Sequence, residues 1–422
     1  MSSNIQDALR RGPSAAAHIV QGAELCPYVQ SGGLALRKSS ALVLNRRRTM
    51  NTYNSSTLPV DAFSSACFSD IRLQGADVVD GVVLRLKVEN GSGAPLARWS
   101  APWAWTIIDR VDILAENGSV VLESILPDHL LRAWYRLGSD PHQAVARGLT
   151  GGEDGVRFVD GAEPPVIPVE GSRTLFIPLL ACMLDTHEIA PFGLSSPITI
   201  RTYFRGASVF QGPFGADQAP NGAAGLTVSA FDAVLTCHQY DNSDRQALTS
   251  RYASAGVKTP PLDVRFARPG YQRTTEQVVS ATVAQTIRLS SVQGLVTSMN
   301  VVIRDLANLG TGLFYVPAAV DLLDERGASI YGSPLSYELL MATEAKDQGL
   351  YRGTYDSRTP LPVPIGGEEG EAVGAISAYL PMSGNHQLSI LFPAAGTFEV
   401  TIVYRVVAHA RIERGHVTVH SS

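Results

Sequence analysis

The sequence lacks the short motifs with which most enzymes bind a phosphate group, position a nucleophile or hold a metal. Its 422 residues contain no GxxxxGK(S/T) phosphate loop, no GxSxG nucleophile elbow and no HExxH zinc helix. His187 and Glu188 are adjacent, but a single pair of this kind is typical of an exposed loop. Glu368, Glu369 and Glu371 could bind a hard cation, although a solvated acidic loop is the simpler interpretation. We therefore expect no catalytic residue, no cofactor and no metal site.

The sequence also has few cysteines and no long apolar run. Cys26, Cys67, Cys182 and Cys237 are isolated, and none forms a CxxC pair, which favours folding in a reducing intracellular compartment. No run approaches the roughly 20 apolar residues of a membrane-spanning helix. The start of the chain has no apolar stretch behind a basic segment, so we expect no secretory signal.

Charge is unevenly distributed along the chain. The net charge is −5, yet residues 1–50 alone carry seven basic and two acidic residues. Such a segment is typical of an arm that contacts nucleic-acid phosphates or anionic lipid, although a solvated basic loop would have the same composition. The basic residues of the predicted arm are Arg10, Arg11, Arg37, Lys38, Arg46, Arg47 and Arg48.

One stretch of the chain occurs twice. Val111–Leu131 aligns without gaps with Val320–Leu340, and nine of the 21 pairs are identical. Each copy predicts a strand, a glycine turn, a short strand and the start of a helix. The separation is far too long for a solenoid repeat of about 20–50 residues, so it indicates a domain-sized fold built twice. The identical pairs are Val111/Val320, Asp112/Asp321, Leu114/Leu323, Glu116/Glu325, Gly118/Gly327, Ser124/Ser333, Leu126/Leu335, Leu130/Leu339 and Leu131/Leu340.

Gly118 and Gly327 are the turn glycines of the two copies. We expect both to adopt positive φ, a conformation that glycine reaches without steric strain. Replacement by valine should then cost more than about 1 kcal/mol at either position.

Apolar residues alternate with polar ones through both halves, which predicts an all-β protein. Ile198, Ile200, Thr202 and Phe204 share one face of a predicted strand near the end of the first half. The polar stretch that ends in Pro260-Pro261 is the best candidate linker. The predicted organisation is a basic arm (1–55), a first domain (56–240), a linker (241–261), a second domain (262–417) and a tail (418–422).

Particular segments resemble the double jelly-roll major capsid proteins of tailless icosahedral viruses, the adenovirus-like lineage. They are WTIIDRVDILAENG at Trp105–Gly118, FIPLL at Phe176–Leu180 and IAPFGLSSPITIRTYF at Ile189–Phe204. The resemblance spans about residues 60–410, and the bacterial-virus members are closer in size than the larger eukaryotic ones.

This resemblance implies two tandem eight-stranded jelly rolls with short helices in the connections. It also implies a homotrimer that serves as a pseudo-hexagonal capsomer and tiles a virion shell. The basic arm would face the interior, towards packaged genome or an internal membrane. Neighbouring capsomers, penton or vertex proteins and minor capsid proteins would be the partners of a chain that folds in the host cytoplasm.

Two other functions are compatible with tandem jelly rolls, because a fold does not determine a function. A glycan-active hydrolase would need acidic residues that converge in a cleft, and the sequence shows no such cluster. A pair of carbohydrate-binding modules would present aromatic side chains on a sheet face. Here Trp99, Trp103 and Trp105 lie together in one connection, and Trp134 lies on a predicted helix.

Overall fold

The computed structural model describes most of the strands of the chain and some of its connections. No helix among the described residues is both long enough and apolar enough to span a membrane. The described residues are 47–74, 78–91, 107–126, 171–179, 191–206, 225–239, 242–258, 260–278, 284–305, 315–340, 361–365 and 380–421.

The first half of the chain folds into eight strands in two antiparallel four-stranded sheets. Their orders are β1-β8-β3-β6, called the β1 sheet, and β2-β7-β4-β5, called the β2 sheet. This order is that of a jelly roll. The strands are β1 Arg47–Asn54, β2 Cys67–Leu73, β3 Val78–Asn90, β4 Ile108–Ala115, β5 Val120–Ile125, β6 Ser172–Leu179, β7 Ile198–Phe204 and β8 Leu226–Gln239.

The second half repeats this order strand for strand. The β9 sheet has the order β9-β17-β11-β14, with β15 and β18 added to β11 and β17, and the β10 sheet has the order β10-β16-β12-β13. The prediction of two tandem jelly rolls is thereby confirmed. The strands are β9 Leu262–Val278, β10 Gln285–Arg288, β11 Gln293–Asp305, β12 Ala319–Leu323, β13 Leu335–Ser336, β14 Leu361–Val363, β15 Leu380–Ser383, β16 Gln387–Leu391, β17 Gly396–Glu413 and β18 His416–Ser421.

Alternation along the strands builds a core inside each roll. In β3, Leu84, Leu86 and Val88 are fully buried, while Arg85 and Lys87 point to the other face. Burial of one such aliphatic side chain stabilises the fold by roughly 1.5–3 kcal/mol. Each roll has its own core cluster of buried residues.

The second copy of the repeat differs from its prediction after the glycine turn. Residues 328–331 form no strand; a single bridge joins Leu323 to Ser329, and the short strand β13 follows only at Leu335–Ser336. Gly332 has φ +82 and interrupts the extended backbone between them. Residues 337–340 are helical, whereas the helix predicted after Pro127 in the first copy lies outside the described residues.

The predicted linker contains a helix, α1 Asn242–Ser254. Its Tyr252 is fully buried against Gly193, where an added Cβ would lie 2.7 Å from the tyrosine ring. Just beyond the helix, the carbonyl of Ala255 accepts a hydrogen bond from the backbone N–H of Arg414, at 2.9 Å. The connection between the rolls is therefore packed against both of them.

Candidate assembly surface

The first roll covers the outer face of the β9 sheet. Val302 and Thr401 point away from the second roll's own core, yet both are completely buried. Val302 belongs to the core cluster of the first roll. Ala408 and Ala410, which alternation along β17 places on the other face, belong to it as well. The described residues therefore include a contact between the two rolls.

Polar contacts fix the position of β9 against the first roll. The Arg110 guanidinium donates a hydrogen bond from Nη1 to the Tyr271 hydroxyl at 3.4 Å. Arg268 Nη2 donates to the carbonyl oxygen of Val121 at 3.2 Å. Arg110 and Val121 lie on β4 and β5, so the β5 side of the β2 sheet meets β9. Tyr271, opposite Val403, is on the outer face of the β9 sheet, whereas Arg268, opposite Val406, is on its other face. The two rolls thus use different surfaces at their contact.

The hairpin between β17 and β18 is held by the first roll through Glu116. Glu116 Oε1 accepts the backbone N–H of Val417 at 2.8 Å, and Glu116 Oε2 lies 3.0 Å from His416 Nδ1. Ser195 donates its backbone N–H to the carbonyl of Gly415 at 2.8 Å. The C-terminal strand of the second roll is therefore fastened to two loops of the first.

Ser195, His416 and Glu116 have the residue types of a hydrolytic triad without its geometry. Ser195 Oγ lies 3.0 Å from His416 Nδ1, the same ring nitrogen that contacts Glu116. A catalytic histidine uses one ring nitrogen for the serine and the other for the carboxylate. The His416 side chain is also 63% exposed. This cluster joins the two rolls and has no arrangement for acyl transfer.

A polar row crosses the outer face of the β2 sheet. Asp70, Arg201, Asp112 and Ser124 lie opposite one another on β2, β7, β4 and β5. Arg201 donates two hydrogen bonds to Asp70 at 2.7 and 2.8 Å, which raise the pKa of its guanidinium above the usual value. Ser124 donates to Asp112 at 2.6 Å. The row stabilises one sheet and leaves its charges paired.

An aromatic row lies beside the polar one. The Arg201 guanidinium carbon is 4.7 Å from the centre of the Phe68 ring, and that of Arg110 is 4.4 Å from the centre of the Tyr203 ring. These distances are those of cation–π pairs. Phe68 and Tyr203 also line an open pocket of about 370 Å³. The Cys67 thiol lines the same pocket, and its pKa is raised by burial and by the negative charge of Asp61.

The buried aspartate of the repeat is kept in both copies with a serine partner. Asp112 and Asp321 are both buried on the outer faces of their sheets. Ser124 donates to Asp112, and Ser329 donates to Asp321 at 2.7 Å. The two serines are not aligned in sequence, so the shared feature is the satisfied carboxylate.

The neighbours of this aspartate have diverged. Asp112 lies opposite Arg201, which lies opposite Asp70. In the second roll Asp321 lies opposite Ser389, which lies opposite Thr286. The scaffold is common to the two rolls, and the surfaces that they present are different.

The turn glycines have the backbone conformation that the repeat predicts. Gly118 has φ +93 and Gly327 has φ +79. Their turns are built differently. Glu116 and Asn117 also have positive φ in the first copy, whereas Asp324 closes the second by accepting two backbone N–H groups at 2.8 Å.

Most of the predicted arm lies outside the described residues, including Arg10, Arg11, Arg37, Lys38 and Arg46. Arg47 and Arg48 begin β1, where they pair with Gln239 and His238 of β8. Residues 47–54, which the charge pattern assigns to the arm, are thus a strand of the first roll. The binding role of the arm stays a prediction.

Other candidate residues named from the sequence also lie outside the described segments. They include His187, Glu188 and the acidic loop at 366–371. Within the described segments, no group of three or more His, Cys, Asp and Glu side chains is placed to hold a metal ion.

The residues that join the rolls were missed by sequence reasoning. Glu116, His416, Arg110 and Tyr271 are distant in sequence, and nothing in their local patterns distinguishes them from solvated side chains. A sequence signal exists only for pairs within one roll. The sequence Val-Val-Leu-Arg ends at Arg85 and Val-Val-Ile-Arg ends at Arg304, and each arginine forms an ion pair inside its own sheet.

No protein-family model matches the chain, and no curated protein is similar to it in sequence. Solved structures are similar in fold. A quasi-atomic model of the PBCV-1 virus capsid superposes with a TM-score of 0.64 at 11% identity, over 90% of this chain and 97% of that one. The Faustovirus major capsid protein gives 0.61 at 9% identity, with 86% and 90% covered.

The major capsid protein of STIV, the Sulfolobus Turreted Icosahedral Virus, gives a TM-score of 0.50 at 13% identity, with 85% and 96% covered. At such identities the likeness is one of fold. This chain has the double jelly-roll fold of these proteins along most of its length.

Proposed function

We propose that the chain is the major capsid protein of an icosahedral virus, and that three copies form a pseudo-hexagonal capsomer. The observation that carries this proposal is the interface between its own rolls, in which the β5 side of the first roll covers the outer face of the β9 sheet. A contact between unlike surfaces propagates, and it closes into a ring when the rotation allows. Three chains supply the six similar rolls of such a ring.

The likeness to solved structures supports this role. The two solved structures with TM-scores of 0.64 and 0.61 are of capsid proteins from two different viruses, and 97% and 90% of those chains are matched. The divergence of the outer faces of the two rolls fits a subunit whose scaffold is repeated while its contacts differ.

The observations do not favour a hydrolase. Ser195 and Glu116 contact the same ring nitrogen of His416, which is not the arrangement of a catalytic triad. Asp70 and Asp112 lie on either side of Arg201 on a sheet face and do not line a cleft. We therefore propose that the chain is not an enzyme.

The structure supports a pair of carbohydrate-binding modules less well than it supports a capsid subunit. In the aromatic row on the β2 sheet, the Phe68 side chain is 53% exposed, but Tyr203 is half-buried beneath Arg110. The second roll replaces the charged row beside it with Ser389 and Thr286. A duplicated sugar site would keep the same face in both rolls.

We also propose that the basic residues before Asn54 face the interior of the virion, where they contact the packaged genome or an internal membrane. Their charge is the support for this, because seven basic and two acidic residues precede an acidic body. Penton or vertex proteins and minor capsid proteins would contact the assembled trimer. The chain would fold in the host cytoplasm, and a bacterial host remains a prediction from chain length.

The oligomeric state tests the proposal. Size-exclusion chromatography with multi-angle light scattering should give a species of about three times the 45.1 kDa chain mass. Measurement across a dilution series separates a stable trimer from weak association. A species that stays monomeric at the highest concentration would show that the proposed function is wrong.

A further inference from the structure

The two rolls carry equivalent arginine–carboxylate ion pairs at the same place, and only one of the two arginines is buried. Arg85 on β3 lies opposite Asp232 on β8, and Arg304 on β11 lies opposite Glu399 on β17. The side chains are 2.7 and 3.0 Å apart. Arg304 is 4% exposed and lies on the same face of β11 as Val302, which packs against the first roll, whereas Arg85 is 41% exposed.

The apolar residues around the ion pair show the same difference. Val302 and Thr401 are opposite each other in the second roll and are fully buried. Their equivalents in the first roll, Val83 and Val234, are opposite each other and only half-buried. The outer face of the β1 sheet is therefore less covered than the equivalent outer face of the β9 sheet, against which the first roll packs.

Strand register identifies the residue on β1 that corresponds to the contact residue on β9. Met50 pairs with Thr236, and Tyr271 pairs with Val403. Thr236 lies four residues after Asp232 on β8, and Val403 lies four residues after Glu399 on β17. Met50 on β1 therefore occupies the position that Tyr271 occupies on β9. Tyr271 contacts Arg110 of the first roll, while Met50 is 74% exposed. Met50 therefore leaves exposed, on β1, the position that Tyr271 uses for a contact on β9.

The repeat, whose two copies are 209 residues apart, identifies the other half of the contact. Two described residues of the first roll that hydrogen-bond to β9 are Arg110 and Val121. The ungapped alignment places Ala319 and Ile330 at these positions. Ala319 lies opposite Leu391 as Arg110 lies opposite Tyr203, so it keeps the register of Arg110. Ile330 follows the glycine turn outside any strand and is 39% exposed.

We propose that the outer face of the β1 sheet binds the second roll of another copy of this chain, with Met50 of one copy next to Ala319 and Ile330 of its neighbour. A second copy is the occupant because this chain already forms the equivalent contact internally, between the equivalent strands. The inference rests on the proposed capsomer and identifies its subunit seam. Each chain then has one contact of this type within itself and one with each neighbour.

Site-directed cross-linking tests the seam. The double variant M50C/A319C is treated with a short bis-maleimide, and the linked peptides are identified by mass spectrometry. A mixture of isotopically labelled and unlabelled chains separates links between chains from links within one. The parent chain measures the background from native cysteines. The variant M50C/V257C is the matched control, because Val257 is 58% exposed and lies in the connection between the rolls, outside the strands of the proposed seam.

The expected result is a link from residue 50 to residue 319 between different chains, with covalent dimers and trimers on a denaturing gel. The control pair should give no such ladder. A trimer by light scattering without the 50–319 link would overturn the seam and leave the capsomer role intact. Absence of any trimer would instead count against the proposed function itself.

A second measurement does not depend on cross-linking chemistry. Met50→Asp and Ile330→Asp each place a charge in the proposed seam, and both are solvent-exposed in the single chain, so folding should be unaffected. Each should raise the trimer dissociation constant by about tenfold or more. Val257→Asp is the control and should leave it unchanged. Unchanged trimer stability in both seam variants would contradict the proposal.

Discussion

Glu116 and His416 are 300 residues apart in the chain, and their side chains lie 3.0 Å apart. Glu116 reaches this contact from a backbone with φ +51, a region that non-glycine residues rarely occupy. The strain is tolerated because the carboxylate also accepts the backbone N–H of Val417. The turn between β4 and β5 therefore contributes a contact between the two rolls, in addition to connecting its two strands.

Glu116→Gln should loosen this contact. The amide has no charge to offer His416 and is a weaker acceptor for the Val417 N–H, so we expect a loss of about 1 kcal/mol in the free energy of unfolding. Hydrogen exchange at residues 413–421 should become faster. Glu325→Gln is the matched control, because Glu325 is the aligned residue but contacts Ser383 of its own roll. Equal exchange in the two variants would refute this role of Glu116.

The turn glycines should be sensitive to alanine for conformational reasons. An added Cβ would lie 3.9 Å from Leu114 at Gly118 and would contact nothing within 4 Å at Gly327, so neither site is crowded. Positive φ costs an L-residue about 1–2 kcal/mol, and each variant should lose that much stability in urea denaturation. Gly81→Ala is the control, since Gly81 lies in β3 with no atom near its Cβ position. A loss at Gly81 as large as at the turns would contradict this explanation.

The second hairpin should depend on pH through Asp324. Hydrogen bonds from the backbone N–H groups of Ala328 and Arg326 lower the pKa of its carboxyl below the usual value. Because the folded pKa is lower than the unfolded value of about 3.9, the contribution to stability is complete above about pH 5. It is lost as pH falls through the folded pKa. Carboxyl titration by NMR should show Asp324 below its ordinary pKa, and Asp324→Asn should remove this part of the acid sensitivity. Titration of Asp324 at the ordinary value would contradict the assignment.

Removal of the basic segment should separate its binding role from folding. A chain that starts at Arg47 keeps β1, which pairs with β8 along its whole length. We expect it to retain the melting temperature and the trimer, and to lose binding to anionic vesicles or polynucleotide. A chain that starts at Ser55 lacks this edge strand and the core contact of Tyr53, so its melting temperature should fall. Unchanged binding after removal of residues 1–46 would refute the arm's role.

Features that depend on local pattern could be predicted from the sequence. Alternating residues such as Ile198 and Ile200 are buried in β7, and Gly118 and Gly327 both have positive φ. These follow from strand pleating and from the steric freedom of glycine. They were sufficient to indicate a fold built twice.

Contacts set by tertiary register could not be predicted in this way. Arg201 and Asp70 are 131 residues apart, and their bidentate pair exists only because β2 and β7 align at that level. Glu116 and Glu325 are identical in the repeat, yet one contacts the other roll and one its own. The same residue at an equivalent position therefore has a different role, which only the packing of the rolls decides.

Electron microscopy of the purified 422-residue chain shows directly whether it forms the proposed capsomer. If three double rolls form a capsomer, particles viewed along the symmetry axis should have a hexagonal outline with true three-fold symmetry and six similar densities. The contact between rolls should look alike within and between chains. Single particles of one chain, with only two roll densities and no closed ring, would contradict the account.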